Sequence, residues 1–433
     1  MAQERRKSTQ RQRLLTGMVA CANRGGYAAA SVSAVIGQAR VSRPTFYDYF
    51  ADRDACFLTC ITEIQDQLLE IVAGGVEGHL GQDAVAAAVE AIVAFASAEP
   101  ARARFLMSES MAGGSAALDR RDEGITRLAA VIANAQLGLD DGARSPDLDL
   151  GILIGAVYRV LATRLRRGDP AISRLTDELL GWVESYSRPA RAHRWATLAP
   201  SPPSPPSPHV PDMPIQQMPS ALPPGRPRIS EEEIAENHRL RILFATARMA
   251  ESKGYTATTV ADITKFARVD GHVFYRLFSD KQDAFMGVHE LGFQQVMEVI
   301  SRSFFAAREW PERSWEAGRA LTGLLEANPL VAHVGFVEAH AVGPGAVQRV
   351  EDSHIAFMFF LQEGLVYREQ ASPPSRTAME AIITSIFEII YRQSRGDSRP
   401  EVASMLPHIA HMWLTPFLGP QEADEFIDGQ LAR

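Results

Sequence analysis

Two eight-residue stretches hold the side chains with the most distinctive chemistry, SRPTFYDY at 42–49 and DGHVFYRL at 270–277. Arginine can bind the edge of a guanine through two hydrogen bonds, and the methyl group of threonine can contact the methyl group of thymine. Such contacts require that a helix present these residues at its N-terminal end, inside a groove of the nucleic acid. The residue types therefore indicate base recognition, provided that the flanking sequence builds that helix.

Both stretches belong to a longer internal repeat. A shift of 228 positions aligns residues 27–57 with 255–285 without a gap, and 11 of the 31 aligned pairs are identical. One offset, held within a residue over about 140 positions, indicates a tandem duplication. Three later pairs follow the same offset or one of 229: Gly168 with Gly396, Pro100 with Pro329, and Glu109 with Glu338.

The residues around each repeat predict helices throughout. RLLTGMVACANR and RLRILFATARMAESK carry apolar residues at helical spacing, and Gly25-Gly26 and Gly254 are positioned to end these helices. The capping residues expected for the following helices are Ser31, Ser42 and Asp52 in the first copy, and Thr259, Asp270 and Asp280 in the second. Ser230 and Glu233 fit a capping box. Alternating β-branched runs are few, so we expect an all-α fold.

A proline-rich segment separates the two copies. Residues 197–224 hold 11 of the 26 prolines of the 433-residue chain. Proline lacks an amide hydrogen and has a restricted φ, so this segment is expected to be an extended, solvated linker.

A helix, a short helix, a tight turn and another short helix form the helix-turn-helix pattern. With Ala-Arg-Val-Ser-Arg-Pro-Thr-Phe-Tyr-Asp-Tyr-Phe in the first copy and Ala-Arg-Val-Asp-Gly-His-Val-Phe-Tyr-Arg-Leu-Phe in the second, each half resembles the TetR family of bacterial transcriptional regulators. The resemblance is specific over about 50 residues of each half. It implies two TetR-like units, each a helix-turn-helix domain followed by a helical ligand-binding and dimerisation domain, arranged as an intramolecular pseudo-dimer.

The resemblance also implies which residues bind DNA. Tyr47 with Arg53, and Tyr275 with Lys281, would contact phosphates, whereas the residues that begin each third helix would read bases. The full predicted set is Ser42, Arg43, Pro44, Thr45, Tyr47, Tyr49 and Arg53 in the first copy, and Asp270, Gly271, His272, Val273, Tyr275, Arg276 and Lys281 in the second. Gly271 departs from the family pattern, so the alternative of a retained fold with degraded base readout stays open for the second copy.

The charge is unevenly distributed along the chain. The net charge of −8 argues against nucleic acid only if it is spread evenly, yet residues 1–57 carry +5 and residues 225–281 carry +2. The remainder carries −15, so basic surface is concentrated where phosphates would be met. Two basic arms are either minor-groove contacts or solvated flanks: Arg5, Arg6, Lys7 and Arg11, and Pro-Gly-Arg-Pro-Arg at 224–228, which looks like the core of an AT-hook.

These features predict five segments. They are a first helix-turn-helix domain at 1–57 (the first head), a first regulatory domain at 58–196, the linker at 197–224, a second helix-turn-helix domain at 225–285 (the second head), and a second regulatory domain at 286–433. By the resemblance, 148–166 with 170–187 and 376–394 with 400–418 would form a four-helix dimer interface. Either one chain forms a monomeric pseudo-dimer that reads an asymmetric operator, or two chains form a homodimer with four heads.

An unknown small-molecule effector is the second expected partner, beside double-stranded operator DNA. Aromatic residues and methionines at helical spacing are more often plain core than pocket lining. The candidate pocket residues are Phe95, Phe105, Met107 and Met111, and Phe336, Phe357, Phe360 and Trp413. Apolar walls suit a hydrophobic or aromatic ligand. No cofactor is expected. Less favoured possibilities are a metal on His408 and His411 with His333, His340 or His354, and a redox pair of Cys56 and Cys60.

Other classes of protein find little support in the sequence. No G-x-S-x-G, P-loop, G-x-G-x-x-G or HExxH motif occurs, so we expect no enzyme. Three cysteines, a polar N-terminus and the lack of an 18-residue apolar run indicate a cytoplasmic, nucleoid-associated protein without a membrane partner. A repressor is the expected regulator, and the alternative is a ligand-binding scaffold whose second helix-turn-helix no longer reads DNA.

Overall fold

The computed structural model describes residues 2–137, 148–186, 216–222, 230–367, 373–396 and 401–432. Within these ranges the chain forms helices joined by turns and short 3₁₀ segments, with no β-strand. The prediction of an all-α fold is therefore confirmed. Most of the linker, residues 197–215 and 223–224, and the Pro-Gly-Arg-Pro-Arg arm at 224–228 lie outside the described residues, as do the side chains of Arg5, Arg6 and Lys7.

The first half contains nine α-helices within its described residues. They are α1 (Ala2–Gly25), α2 (Val32–Ala39), α3 (Arg43–Tyr47), α4 (Arg53–Val76), α5 (Gly81–Ala98), α6 (Pro100–Met107), α7 (Ser115–Asn134), α8 (Leu150–Arg166) and α9 (Leu175–Glu184).

The second half follows the same order through its helix-turn-helix and then adds elements. Its helices are α10 (Glu231–Lys253), α11 (Val260–Ala267), α12 (Gly271–Leu277), α13 (Lys281–Phe304), α14 (Trp310–Ala327), α15 (Pro329–His333), α16 (Ala339–Val342), α17 (Pro344–Tyr367), α18 (Arg376–Arg395), α19 (Leu406–Leu418) and α20 (Pro420–Leu431). A π-helical turn, Val334–Glu338, joins α15 to α16. The sequence analysis had not anticipated α20.

Local hydrogen bonds begin these helices as the sequence predicted, with one exception. Side chains of Ser31, Ser42, Asp52, Thr259 and Asp280 each accept from an amide three residues later. Ser230 and Glu233 form the predicted capping box. The exception is Asp270, which occupies the N-cap position of α12 without a side-chain capping bond.

The contacts divide the chain into two compact units. Unit 1 comprises residues 1–196 together with 354–388 and 411–433, and unit 2 comprises residues 197–353 and 389–410. Part of the second half of the sequence therefore folds into the same unit as the whole first half.

In unit 1, a layer of apolar side chains lies between α4, α5, α7 and α8. The ring of Phe57 packs 4.8 Å from that of Phe105, and both are fully buried. At the other side of α8 and α9, residues from the second half pack against them. Tyr186 donates a hydrogen bond from its hydroxyl to the carbonyl of Met412 at 2.6 Å and accepts one from Trp182 at 3.1 Å. Residues from the terminal parts of both halves thus pack together within unit 1.

In unit 2, α10 and α13 pack together as the helices that frame the second helix-turn-helix, and α14 packs along α13. Phe285 and Phe304 of α13 are fully buried there. The described end of the linker also lies on this unit, because the carbonyl oxygens of Pro219 and Ser220 accept hydrogen bonds from Arg241 and Asn237. The expectation of a fully solvated linker is therefore wrong for this short piece, whose backbone carbonyls have partners on α10.

Within the part of the chain that the structure describes, one helix is long and apolar enough to cross a membrane by length and composition alone. Helix α5 has an 18-residue window of mean hydropathy 1.3, and α14 with residues 329–342 passes the same test as a bent pair. Half of the α5 window is buried, with Val85, Val89 and Ile92 in the core of unit 1. An alanine-rich core helix meets this criterion without any membrane.

The buried imidazole of His354 makes the stability of unit 1 dependent on pH. Its ring lies 4.3 Å from that of Phe387, and burial, reinforced by the charges of Arg159 and Arg166, lowers its pKa from 6.5 to about 3. His354 takes up a proton near pH 6.5 in the unfolded chain, but only near pH 3 in the folded chain. The free energy of unfolding is therefore highest above pH 6.5 and falls as the pH decreases toward 3.

We expect His354→Phe to remove about 1.4 kcal/mol of acid destabilisation per pH unit between pH 6 and pH 4. Urea unfolding of the wild type and the variant at each pH measures this slope. Parallel slopes for the two proteins would contradict the assignment.

Candidate nucleic-acid interface

The two heads share one backbone conformation at the turn of the helix-turn-helix. Among the described residues, Arg40 and Arg268 are the only non-glycine residues with positive φ, at 51° and 52°. Each ends the second helix of its head in the left-handed region, where its own amide and the next one donate back to carbonyls of that helix. This conformation is costly for an L-residue, so its recurrence at both aligned arginines indicates that the turn geometry is built twice.

An arginine from the first helix of each head fastens this turn. Arg13 donates to the carbonyl of Arg40 at 2.9 Å, and Arg241 donates through two nitrogens to the carbonyl of Ala267 at 2.7 and 3.0 Å. The sequence analysis missed both residues, although they align with each other at the offset of 228. Arg241 is buried, with 3% of its surface exposed, whereas Arg13 is exposed.

The recognition helix of the first head, α3, presents polar residues at its start. Ser42, Arg43 and Pro44 are exposed, Thr45 is half-buried, and Arg43 donates to the hydroxyl of Ser33 at 2.8 Å. Tyr47 is 50% exposed. Arginine and threonine side chains are thus accessible at the N-terminal end of α3, which is the end that meets base edges in this motif.

Helix α12 of the second head offers less for base recognition. Gly271 and His272 are exposed, but Val273 is only 8% exposed because it packs into the core of the head beside Phe274. The expectation that Val273 reads a base is therefore not met by its position. Tyr275, 62% exposed, and Arg276 remain accessible.

The basic residues that open the fourth helix of each head are engaged within their own domain. The Arg53 guanidinium lies 4.1 Å from the Tyr27 ring and donates to the Tyr27 hydroxyl at 2.6 Å and to Asp54 at 2.9 Å. Lys281 lies 4.4 Å from the ring of the aligned Tyr255. In both heads the basic group therefore fixes the tyrosine of the first turn to the fourth helix.

Lys281 makes the more extensive set of contacts. Its amino group donates to the carbonyl oxygens of Tyr255 at 3.0 Å and Thr258 at 2.8 Å. Burial lowers the pKa of Lys281, and the charge of Lys253 lowers it further. Burial and the charge of Asp280 raise the pKa of Tyr255 to about 12. The phosphate contacts expected of Arg53 and Lys281 thus compete with structural hydrogen bonds.

The remaining predicted contacts of the first head are also partly occupied. The Tyr49 hydroxyl donates to Gln10 at 3.3 Å, and Tyr49 is half-buried. Arg11 forms an ion pair with Glu63 of α4. These side chains hold α1 against the recognition helix and α4.

The predicted effector residues fall into different parts of the molecule. Phe95, Phe105, Met107 and Met111 are all buried within unit 1, with exposures of 3% or less. The second set is divided, because Phe336 belongs to unit 2 whereas Phe357, Phe360 and Trp413 belong to unit 1. No single compact unit brings that second set together.

The less favoured metal and redox sites find no geometry in the described residues. No group of three His, Cys, Asp or Glu side chains there is arranged to hold a metal, and His408 and His411 belong to different units. Burial raises the pKa of the Cys60 thiol well above its ordinary value, and its sulfur donates to the carbonyl of Leu15 at 3.6 Å. A protonated, packed thiol is a poor redox sensor.

The aligned carboxylates Glu109 and Glu338 have different partners. Glu109 lies 3.4 Å from Arg104, and burial raises its pKa. Glu338 accepts a hydrogen bond from the amide of Tyr255 at 2.7 Å and so joins the π-helical turn to the second head. In the first half, Asn23 makes the corresponding connection by donating to the carbonyl of Ala101 at 2.7 Å.

We expect Arg241→Met to lower the free energy of unfolding of the second head by about 1.5–3 kcal/mol, since it removes hydrogen bonds from a buried charged group. The matched Arg13→Met change in the exposed counterpart should cost only about 0.5–1 kcal/mol. Hydrogen exchange of amides in residues 260–278 and 32–50 measures the two effects separately. Equal losses in both heads would argue against a structural role for burial at Arg241.

Comparison with known proteins finds one family model in both halves of the chain. The model of the bacterial regulatory proteins of the tetR family matches the chain twice, at residues 14–60 and 242–285. These matches cover the two helix-turn-helix motifs described above. A comparison with curated proteins finds no match.

Several solved structures resemble part of the chain. The fatty acid degradation regulator FadR from Bacillus halodurans is 17% identical, with a TM-score of 0.37, over 41% of this chain and 94% of its own. FadR from Bacillus subtilis, solved with stearoyl-CoA, is 17% identical, with a TM-score of 0.37, over 42% of this chain and 98% of its own. A TetR family regulator from Marinobacter aquaeolei VT8 is 20% identical, with a TM-score of 0.34, over 44% of this chain and 97% of its own.

The two matches fall at the aligned copies of the repeat, so the chain carries two tetR-type helix-turn-helix units in one polypeptide.

Proposed function

We propose that this regulator is a repressor whose two unlike heads read the two unlike halves of one asymmetric operator. The domains are those predicted from the sequence, with heads at 1–57 and 225–285. A small hydrophobic effector, bound by the regulatory helices, releases the operator. The chain performs no catalytic step in this proposal.

The observation that carries the proposal is a repeated backbone with different exposed side chains. Both heads have the same left-handed residue at the turn and the same arginine fastening it. At the start of the recognition helices, however, the exposed residues are Arg43 and Pro44 in one head and Gly271 and His272 in the other. Two scaffolds of one geometry that present different chemistry suit two different half-sites.

The linker permits both heads to act from one chain. Half-sites one helical turn apart are separated by about 34–36 Å. Even residues 197–215 alone, if extended as a polyproline helix of roughly 3.1 Å per residue, would reach about 60 Å. A single chain can therefore join the end of one half to the start of the other without restricting the spacing of the heads.

A second candidate is a regulator whose second head contributes little base readout. The burial of Val273 and the missing side chain of Gly271 leave His272 as the single side chain exposed among the first three residues of α12. The net charge of +2 over residues 225–281, against +5 over residues 1–57, points the same way. Such a head would hold phosphates and fix the position of the protein without choosing the sequence.

Release by an effector requires a connection between the regulatory helices and the heads. Each half offers a hydrogen bond of this kind, from Asn23 to α6 and from the Tyr255 amide to Glu338. A ligand that prefers one position of α6, or of the π-helical turn, would displace a head and weaken DNA binding by that preference. Saturable release of a labelled operator by an added apolar ligand identifies an effector, and release by detergents alone would not.

Footprinting and in vitro site selection with the full chain test the asymmetric operator. The expected best site has two unlike halves about one helical turn apart, both protected by a single chain. A perfect inverted repeat as the best site would contradict the proposal.

Variants at the exposed ends of the recognition helices separate the two candidate functions. Arg43→Ala should weaken operator binding about 5- to 150-fold and relax the preference at one base pair, as expected for loss of one bidentate base contact. His272→Ala should do the same in the other half-site if the second head reads bases. A change below about 2-fold for His272→Ala favours the second candidate.

The exposed tyrosines provide a matched pair for phosphate contacts. Tyr47→Ala and Tyr275→Ala should each weaken binding to specific and non-specific DNA by similar factors, because backbone contacts carry no sequence information. Both side chains are at least half exposed, so folding is not expected to change. Fluorescence anisotropy against both DNAs measures this, and loss confined to Tyr47→Ala would show that the second head does not touch DNA.

A further inference from the structure

A buried ion cluster joins residues from the two halves of the sequence inside unit 1. Glu388, fully buried on α18, accepts from Arg121 at 3.0 and 3.1 Å and from Arg159 at 3.0 Å. Arg121 on α7 is fully buried, and the Arg159 side chain on α8 is 5% exposed. Arg121 also donates to Asp122 at 2.8 Å, so two cations face two carboxylates. We call Arg121, Arg159 and Glu388 the pairing cluster.

None of the three residues of the pairing cluster has a charged counterpart at the aligned position of the other half. At the offset of 228, Glu388 aligns with Val160 and Arg159 aligns with Phe387. At the offset of 229, which aligns Glu109 with Glu338, Arg121 aligns with Val350. Every counterpart is apolar, so the duplicated sequence encodes the carboxylate in its second half and the two arginines in its first.

The space for the carboxylate is likewise present only in the first half of the sequence. A Cβ atom added at Gly155 would lie 2.5 Å from the carboxyl carbon of Glu388, so only glycine admits this side chain. The residue aligned with Gly155 is Ile383. A carboxylate directed at the corresponding position of the second half would meet the branched side chain of Ile383. It would find Phe387 and Val350 in place of the two arginines.

A second ion pair on the same helices also takes its carboxylate from the second half, although its cation, Arg164, has a basic counterpart in Arg392. Glu380 of α18 accepts from Arg164 of α8 through two nitrogens, at 2.6 and 3.3 Å. Glu380 aligns with Ile152. Both carboxylates that α18 extends toward α8 therefore lack a carboxylate counterpart in the first half.

We propose that the pairing cluster makes the terminal helices of the first half accept the second half of the sequence and reject a second copy of themselves. This inference rests on the pseudo-dimer of the proposed function and supplies the residues that select it. In a pairing of two first halves, Val160 would face two buried arginines. In a pairing of two second halves, Glu388 would be buried among Phe387, Val350 and Ile383. Either arrangement leaves a buried charge without its partner, which is strongly unfavourable.

Three full-length variants test this selection. The socket variant, Arg121→Met with Arg159→Met, removes the cations, and the key variant, Glu388→Leu, removes the carboxylate. The matched control carries all three changes, because replacing a buried ion cluster by apolar residues of similar volume is tolerated. Each protein is made with either of two affinity tags.

Separately, the socket and key variants should unfold more readily, with unfolding equilibrium constants raised on the order of 100-fold or more. The control should recover most of that loss. When the socket and key variants are coexpressed, the first half of the key variant still carries both arginines and the second half of the socket variant still carries Glu388. Each half can therefore pair with the matching half of the other chain. One junction regains the ion cluster and the other becomes wholly apolar, so capture of one tag should retain the other in a complex of two chains.

Wild-type chains coexpressed with the two tags provide the baseline for that capture. Retention by the socket and key pair at least about tenfold above this baseline supports the selection. Retention no higher than the baseline overturns it, as does a control variant no more stable than the single variants. None of these measurements involves DNA, so a failure of operator recognition would be distinguished from a failure of pairing.

Discussion

A carboxylate buried without a cation is among the least tolerable features of a protein interior, and the organisation of unit 1 depends on satisfying one. Glu388 has no exposed surface, so Arg121 and Arg159 must lie against it, and α7, α8 and α18 must meet at that point. The Glu388 side chain occupies the space beside Gly155 that any larger residue would fill. This contact therefore fixes the register of α8 against α18. A segment distant in sequence is thereby held within the unit formed by the first half.

The two heads depend on a smaller and repeated set of contacts. A left-handed arginine ends the second helix, another arginine from the first helix binds the adjacent carbonyl, and a basic group lies on the tyrosine of the first turn. None of these contacts uses the exposed start of the recognition helix. The scaffold can therefore be kept in two copies while the exposed residues at the start of the recognition helices diverge.

The same contacts change which side chains of each head are expected to contact phosphates. Arg53 and Lys281 fasten each turn to the fourth helix, so the exposed tyrosines Tyr47 and Tyr275 are the aromatic groups free to approach phosphates. In the second head Tyr275 is likewise exposed, whereas Val273 is buried.

The sequence by itself determined the helical class, the duplication, the two helix-turn-helix motifs and most helix starts. These features are local: the bond from Ser31 or Thr259 to its helix spans three residues, and the repeat is visible in aligned letters. The tertiary structure alone decided that Val273 is buried, that Lys281 is occupied by backbone carbonyls, and that Glu388 meets Arg121 and Arg159. The first two outcomes depend on packing within the second head, and the third on helices that lie more than 200 residues apart in the sequence. No local spacing encodes the burial that such packing imposes.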